Sequence, residues 1–456
     1  MKTDVLIIGA GQAAVPLATK LVGAGKSVAL VERSELGGTC INTGCTPTKT
    51  MIASARAAHV ARTAGRLGVR VPEVTVDLAA VVRRKDETVQ TWRQGIERRL
   101  TAAGEHLTLL HGHARFVEER TVEVGGEHHQ AEIVVINTGA RPMVPPIFGL
   151  ESVPWLDNHR IMELRNVPEH LVILGGGYVG CEFAQMFRRF GSHVTIVNRS
   201  SNLMSREDIE VSTSLEEVFR NEGIVLRLDS RVEGVDGGGD EVTLRIQGAD
   251  DVRGSHLLVA TGRRPNTDDL GCEHAGVDLD DRGFVVIDET YQSSAPGIYA
   301  VGDVSGEPQF THVSWDDHRI LFDVLMGRPS RKRTERAYPH VAFTDPQVAG
   351  VGLTEREARE QGLRFEVASL PYNAIARSLE VDESAGLLKV LMEPDTERML
   401  GAAIVGAEAG ELLHVFVALM EAKASLRAVV NAQFVHPTFS EGLQSVVMSL
   451  EHFSTS

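Results

Sequence analysis

Two stretches of the chain share one alternation of apolar runs, glycines and helix-length segments. Residues 5–33 read VLIIGAGQAAVPLATKLVGAGKSVALVER, residues 171–199 read LVILGGGYVGCEFAQMFRRFGSHVTIVNR, and the two align without a gap. Each opens with four apolar residues suited to a buried parallel strand and passes through a glycine-rich turn into a segment of helical length. Each then enters a second apolar strand after Gly25 or Gly191. The pattern predicts a strand–helix–strand unit twice over. In the first copy Gly9, Gly11 and Ala14 permit a tight turn, close approach of backbone to a pyrophosphate, and packing of helix on strand; Gly175, Gly177 and Gly180 repeat the arrangement. The copies differ where a dinucleotide's ribose is read. Glu32 ends the second strand of the first copy and can accept a hydrogen bond from a ribose 2′-OH. In the second copy Asn198 takes that place, with Arg199 and Arg206 close behind. A neutral side chain with guanidinium neighbours accommodates a 2′-phosphate, so the second site leans to NADPH.

Length and composition narrow the class. At 456 residues the chain is long enough for about three domains of ~150 residues. Its 43% apolar and 24% charged residues are those of a globular protein. The net charge of −16 disfavours nucleic acid or an anionic membrane as partner, because both are bound through Lys and Arg. No apolar run approaches the roughly 18 residues of a membrane helix, and the opening MKTDVLIIGAG reads as a strand rather than a signal peptide. A soluble cytoplasmic protein is the expectation.

The four cysteines stand at 40, 45, 181 and 272, too few for a secreted disulfide framework. Cys40 and Cys45 lie in GGTCINTGCTPTKTMIASARAAHVAR, where Pro47 suits a first helical turn and the Ala-rich stretch favours helix. Cys45 is therefore placed at a helix N-terminus, where the dipole and free N–H groups stabilise a thiolate. No second cysteine pair exists to complete a zinc site, so no metal is expected. Lys49 follows closely enough to lie under a bound cofactor. Near the end, FVHPTFSE offers His436 as a general acid or base, with Glu441 able to hold its other nitrogen.

With these residues in view, the chain resembles the pyridine nucleotide-disulfide oxidoreductase family, which includes glutathione reductase, dihydrolipoamide dehydrogenase and mercuric reductase. The resemblance spans nearly the whole chain and is carried by GGTCINTGCTPTK, GGGYVGCE, ATGRRPN at 260–266, GIYAVGD at 297–303 and HPTFSE. It implies an α/β protein with two Rossmann-like nucleotide-binding domains and a C-terminal α+β dimerisation domain. An FAD-binding domain would take residues 1–145 and 267–337, an NAD(P)H-binding domain 146–266, and an interface domain 338–456. The charged run 331–336 is most simply a solvated connection. The resemblance further implies FAD in the first site, with Glu32 on the adenosine ribose, Asp303 near the ribityl and pyrophosphate, and Thr39, Ala114, Thr138, Gly139 and Thr311 completing it. Gly262 would belong to the nucleotide site. Lys49 and Glu182 would pair beside the flavin, and Tyr178 would cover it until nicotinamide arrives. Cys45 would be the thiolate against the flavin and Cys40 the thiol that attacks substrate. His436, with Glu441, would come from the other subunit of a homodimer to shuttle the proton.

The implied function is transfer of electrons from NADPH through FAD and the cysteine pair to a disulfide or small thiol-reactive substrate. The wording CINTGCTPTKT is nearest mercuric reductase, yet no cysteine follows Cys272 to hand a metal ion inward. Dihydrolipoamide dehydrogenases use NAD and usually place an acidic residue where Asn198 stands. Reduction of hypothiocyanous acid is a further alternative. A flavin redox sensor without turnover, from a different class, is disfavoured because both cysteines and HPTFSE are intact.

Overall fold

The computed structural model describes residues 2–238, 241–306, 308–329 and 331–454, which form two compact units. The first unit comprises Met1–Thr50, Val81–Met143 and Gly262–Arg336. Its sheet runs in parallel through Leu107–His111, Val28–Glu32, Lys2–Ile8, Glu127–Ile136 and Ile298–Ala300, with Thr121–Val124 and Ala114–Glu118 added antiparallel. The apolar runs are continuous because both faces are covered. Val5 and Ile7 pack with the helices Ala14–Gly23 and Thr311–Leu325, while Leu6 and Ile8 pack on the other face with Phe116 and Val122.

Contrary to expectation, the run 331–336 is not simply a solvated connection. Arg336 is only 8% exposed, and its guanidinium donates to Asp317 at 2.5 Å and to Asp316 at 3.1 Å. Arg331 also pairs with Asp316. The run looked solvated because its charges are dense, whereas the partners that bury it stand earlier in the chain, on the helix Thr311–Leu325.

The second unit comprises Met51–Ala80, Val144–Thr261 and Ala337–Ser456. It holds a five-stranded parallel sheet in the order Val225–Arg227, His193–Val197, His170–Leu174, His256–Val259, Trp155–Leu156. A three-stranded antiparallel sheet, Val232–Gly238, Glu241–Ile246 and Val252–Gly254, accompanies it. The last third forms a five-stranded antiparallel sheet in the order His340–Ala342, Gln347–Gly352, Arg398–Gly406, Leu387–Glu393, Glu366–Pro371. Its core is shared with the helices Ala409–Glu421 and Glu441–Met448 through Phe416, Leu443 and Val447.

The duplication holds at the level of register. Val5 pairs with Val28 and Leu171 with Val194, the same 23-residue offset in both copies, so the gapless alignment corresponds to one strand–helix–strand geometry built twice. The fold is α/β with two Rossmann-like units and a C-terminal α+β part. No helix among the described residues is long and apolar enough to cross a membrane.

Candidate active site

The first glycine turn is shaped by what lies behind it. Gly9 has φ +96°, and a Cβ there would stand 2.4 Å from the Asn137 carbonyl oxygen; a Cβ on Gly11 would meet Asn137 Oδ1 at 2.8 Å. Ala14 is fully buried. Glu32 is 8% exposed at the strand end, where its carboxylate accepts the backbone N–H of Ala10 at 2.8 Å and of Ser34 at 2.9 Å. Around this turn Asn137 Oδ1, Thr138 Oγ1 and Arg263 Nε are buried without a hydrogen-bond partner among the described residues. Buried polar atoms are normally satisfied, so these three await a polar ligand, and the residues present fit FAD. Asp303 lies in the short turn Gly302–Ser305 and pairs with Arg263 at 3.2 Å; burial raises its carboxyl and Arg263 opposes the rise. Ala114 is a buried strand residue paired with Val124, Gly139 takes φ +69°, and its carbonyl accepts the Asn266 N–H at 3.0 Å. Gly262, expected at the second nucleotide site, belongs to the first unit, where its carbonyl accepts the Met143 N–H at 2.9 Å.

The cysteines sit on two successive helices. Thr39 and Cys40 lie in the short helix Gly38–Asn42, and Cys45 is the first residue of the 19-residue helix Cys45–Thr63. The Cys45 sulfur is 3.1 Å from the Thr311 hydroxyl, which opens the helix Thr311–Leu325. Two helix N-termini thus bracket one sulfur. The Cys40 thiol is pushed far up, first by its hydrogen bond with Cys45 and then by burial, while the charge of Lys49, one turn along the helix, works in the opposite direction. The hydrogen bond and burial both favour the protonated form of Cys40.

In the second unit Gly175 has φ +114°, and a Cβ would lie 2.4 Å from the Ala260 carbonyl oxygen. At Gly180 a Cβ would lie 2.1 Å from the Gly175 carbonyl oxygen, whereas at Gly177 it would meet nothing within 4 Å. Gly177 is the position at which a phosphate can approach the backbone. Asn198 spends its amide on the turn and loop: Oδ1 accepts the Gly176 N–H at 3.1 Å, and Nδ2 donates to the carbonyls of Ser200 at 3.2 Å and Asn202 at 2.9 Å. Arg199 and Arg206 are exposed, and neither forms an ion pair among the described residues.

Tyr178 opens the helix Tyr178–Phe190 directly after the glycine turn. Its hydroxyl donates to Glu207, and its ring stacks on His340 at 5.8 Å between centroids. His340 Nε2 lies 2.9 Å from the same carboxylate. Burial, then Glu207, raises the Tyr178 hydroxyl; Glu207 itself is lowered, its burial outweighed by His340 and Tyr178. Glu182 is 6% exposed and accepts the Phe343 N–H at 2.8 Å. Neither Glu207 nor His340 was anticipated from the sequence, where positions 178, 207 and 340 share no motif. At the far end, His436 Nδ1 lies 3.0 and 3.1 Å from the two oxygens of Glu441, with a cis peptide before Pro437. Glu441 also accepts the Thr438 N–H at 3.0 Å, and that bond, followed by His436, lowers its carboxyl.

Two nucleotide turns, a cysteine pair at a helix start and a carboxylate-held histidine define a flavoprotein oxidoreductase. Residues 3–317 match the family model described as pyridine nucleotide-disulphide oxidoreductase, residues 338–447 match that family's dimerisation domain, and the chain belongs to this family, whose members use FAD and NAD(P)H. A mercuric reductase of Lysinibacillus sphaericus is 34% identical over 98% of this chain and 82% of its own length. The probable pyridine nucleotide-disulfide oxidoreductase RclA of Escherichia coli is 35% identical over 98% of each protein. A solved structure of RclA, described as an HOCl-induced flavoprotein disulfide reductase in complex with Cu(II), superposes with a TM-score of 0.90 at 34% identity, covering 98% of this chain and 99% of that one.

Proposed function

We propose that the protein is an NADPH-dependent FAD enzyme that reduces a disulfide or another small thiol-reactive oxidant through Cys40 and Cys45, working as a homodimer. The observation that carries this reading is the cysteine pair, with Cys45 opening a helix 3.1 Å from the Thr311 hydroxyl and Cys40 on the short helix just before it. FAD would be held at the Gly9–Gly11 turn with Glu32 and Asp303, and when bound it supplies a two-electron path from reduced nicotinamide to the pair. Lys49 and Glu182 would stand beside it, and Tyr178 at the entry for nicotinamide. Arg199 and Arg206, exposed and without ion pairs among the described residues, offer guanidinium groups to a 2′-phosphate.

The chemistry of the chain itself is thiol–disulfide exchange. Cys40, once its proton is taken, attacks one sulfur of a disulfide substrate; that S–S bond breaks, and the leaving thiolate is protonated by His436 of the other protomer. Cys45 then attacks Cys40, the second thiol departs, and the Cys40–Cys45 disulfide is restored. Glu441, on Nδ1, leaves Nε2 as the nitrogen that moves the proton. The description of RclA as HOCl-induced supports a small oxidant as substrate class. Mercuric reduction is the second reading, favoured by relatives of that name and weakened by the lack of any cysteine after Cys272, since soft thiolates are what pass a soft metal ion inward.

Steady-state oxidation of NADPH over a panel of a small disulfide, hypothiocyanous acid and Hg(II) in excess thiol tests this. Turnover with at least one of the first two, abolished in Cys40→Ser and in Cys45→Ser, is expected. A chain with bound FAD that turns over none of them, or does so without the cysteines, is not this enzyme.

A further inference from the structure

Between the strand His193–Val197 and the helix Ile209–Asn221, residues 198–208 run without regular structure and carry both Arg199 and Arg206. The first half of this loop is held locally by Asn198. The second half is held by residues far along the chain. The Arg356 guanidinium donates to the carbonyl oxygens of Ser205 at 3.2 Å and Arg206 at 3.0 Å. Asp208 accepts the backbone N–H of Glu355 at 3.0 Å and of Arg356 at 3.3 Å. Lys389, 2% exposed, reaches Asp208 and Glu210 at 3.1 Å each and Glu355 at 2.6 Å. A cation so buried is stable only with its anions in place, so Lys389 fixes the base of the loop.

The two carbonyls bound by Arg356 belong to the peptide planes on either side of the Arg206 Cα. Tying both planes sets the backbone angles of Arg206 and hence the direction in which its side chain leaves the loop. We propose that Arg356 is a positioning residue for nucleotide selection: it touches no nucleotide but holds Arg206 aimed at the 2′-phosphate, on a base fixed by Lys389 and Asp208. This rests on the NADPH reading given above. A phosphate-binding arginine held in place before the ligand arrives loses less freedom on binding, and the gain falls only on nucleotides that carry the phosphate.

Calorimetric titration of the FAD-loaded full chain with NADP+ and with NAD+ tests the proposal. Arg356 is exposed, so Arg356→Ala should keep its melting temperature. Its Kd for NADP+ should rise about three- to tenfold while that for NAD+ stays within about twofold. Arg356→Lys, with fewer donors for the two carbonyls, should fall between. Equal weakening of both nucleotides, or no weakening, would overturn the positioning role. Arg206→Ala separates the two levels. If it narrows the preference for NADP+ and Arg356→Ala does not, the nucleotide reading stands and the role of Arg356 falls. If Arg206→Ala leaves the preference unchanged, the role of Arg356 falls with that of Arg206, and the nucleotide reading falls too only if Arg199→Ala also leaves it unchanged.

Discussion

Asp317 has no exposed side-chain surface, and it accepts from the Tyr291 hydroxyl and the Gly302 amide at 2.8 Å each as well as from Arg336. Burial raises this carboxyl and Arg336 offsets part of the rise. Taking away the guanidinium leaves a buried charge uncompensated, so Arg336→Met is expected to cost about 3–5 kcal/mol, read as a lower urea midpoint at unchanged slope. An unchanged midpoint would show that the network carries no stability. Legibility at this scale followed local spacing. Cys40 with Cys45 and His436 with Glu441 were readable as pairs because five residues of separation keep the two members of each within reach. Arg336 with Asp317, and Glu207 with Tyr178 and His340, were not, because tertiary packing brings them together and no period in the sequence records it.

The glycine turns separate folding from binding within one element. Gly175→Ala would place a Cβ 2.4 Å from a carbonyl oxygen at φ +114°, so it should destabilise the fold by at least about 1–3 kcal/mol. Gly177→Ala meets open space and should melt as the parent does, while its Cβ occupies the room a pyrophosphate needs and NADP+ affinity falls by more than about tenfold. Thermal unfolding and nucleotide titration, run side by side on both variants, check this; equal Tm values, or undiminished binding by Gly177→Ala, would be the wrong result. The strand–helix–strand elements were legible from the apolar runs and glycine turns of the two gapless copies, and the structure gives both the same offset, Val5 with Val28 and Leu171 with Val194. The five-stranded antiparallel sheet of the last third was legible only as the α+β domain that the family resemblance implies, because pairing between distant strands such as Gln347–Gly352 and Arg398–Gly406 leaves no local signature.

At the scale of the whole molecule, a match to a dimerisation domain over residues 338–447 joins a histidine held by Glu441 on an exposed turn. Under the function proposed above, the two would build a homodimer with composite sites. Cys40→Ser and His436→Ala should each be inactive alone, and subunit exchange between them should restore part of the activity; a fully active monomer, or no recovery in exchanged dimers, would contradict it. Nucleotide choice belongs here too. A charge-assisted contact is worth ~1.5–3 kcal/mol, so each well-placed arginine should favour NADPH over NADH by about ten- to a hundredfold in kcat/KM, and Arg199→Ala or Arg206→Ala should erase its share. Equal kcat/KM for the two nucleotides would count against that assignment. The most direct measurement is the absorption spectrum of the purified, FAD-loaded protein during anaerobic addition of NADPH. A long-wavelength band from the Cys45 thiolate to the oxidised flavin should appear when two electrons have reduced the disulfide. In Cys40→Ser, which has no disulfide to reduce, it should be present before NADPH is added and bleach as the flavin takes the electrons; in Cys45→Ser it should be absent throughout. A wild-type protein whose flavin is reduced without that band would contradict a redox pair built on Cys45.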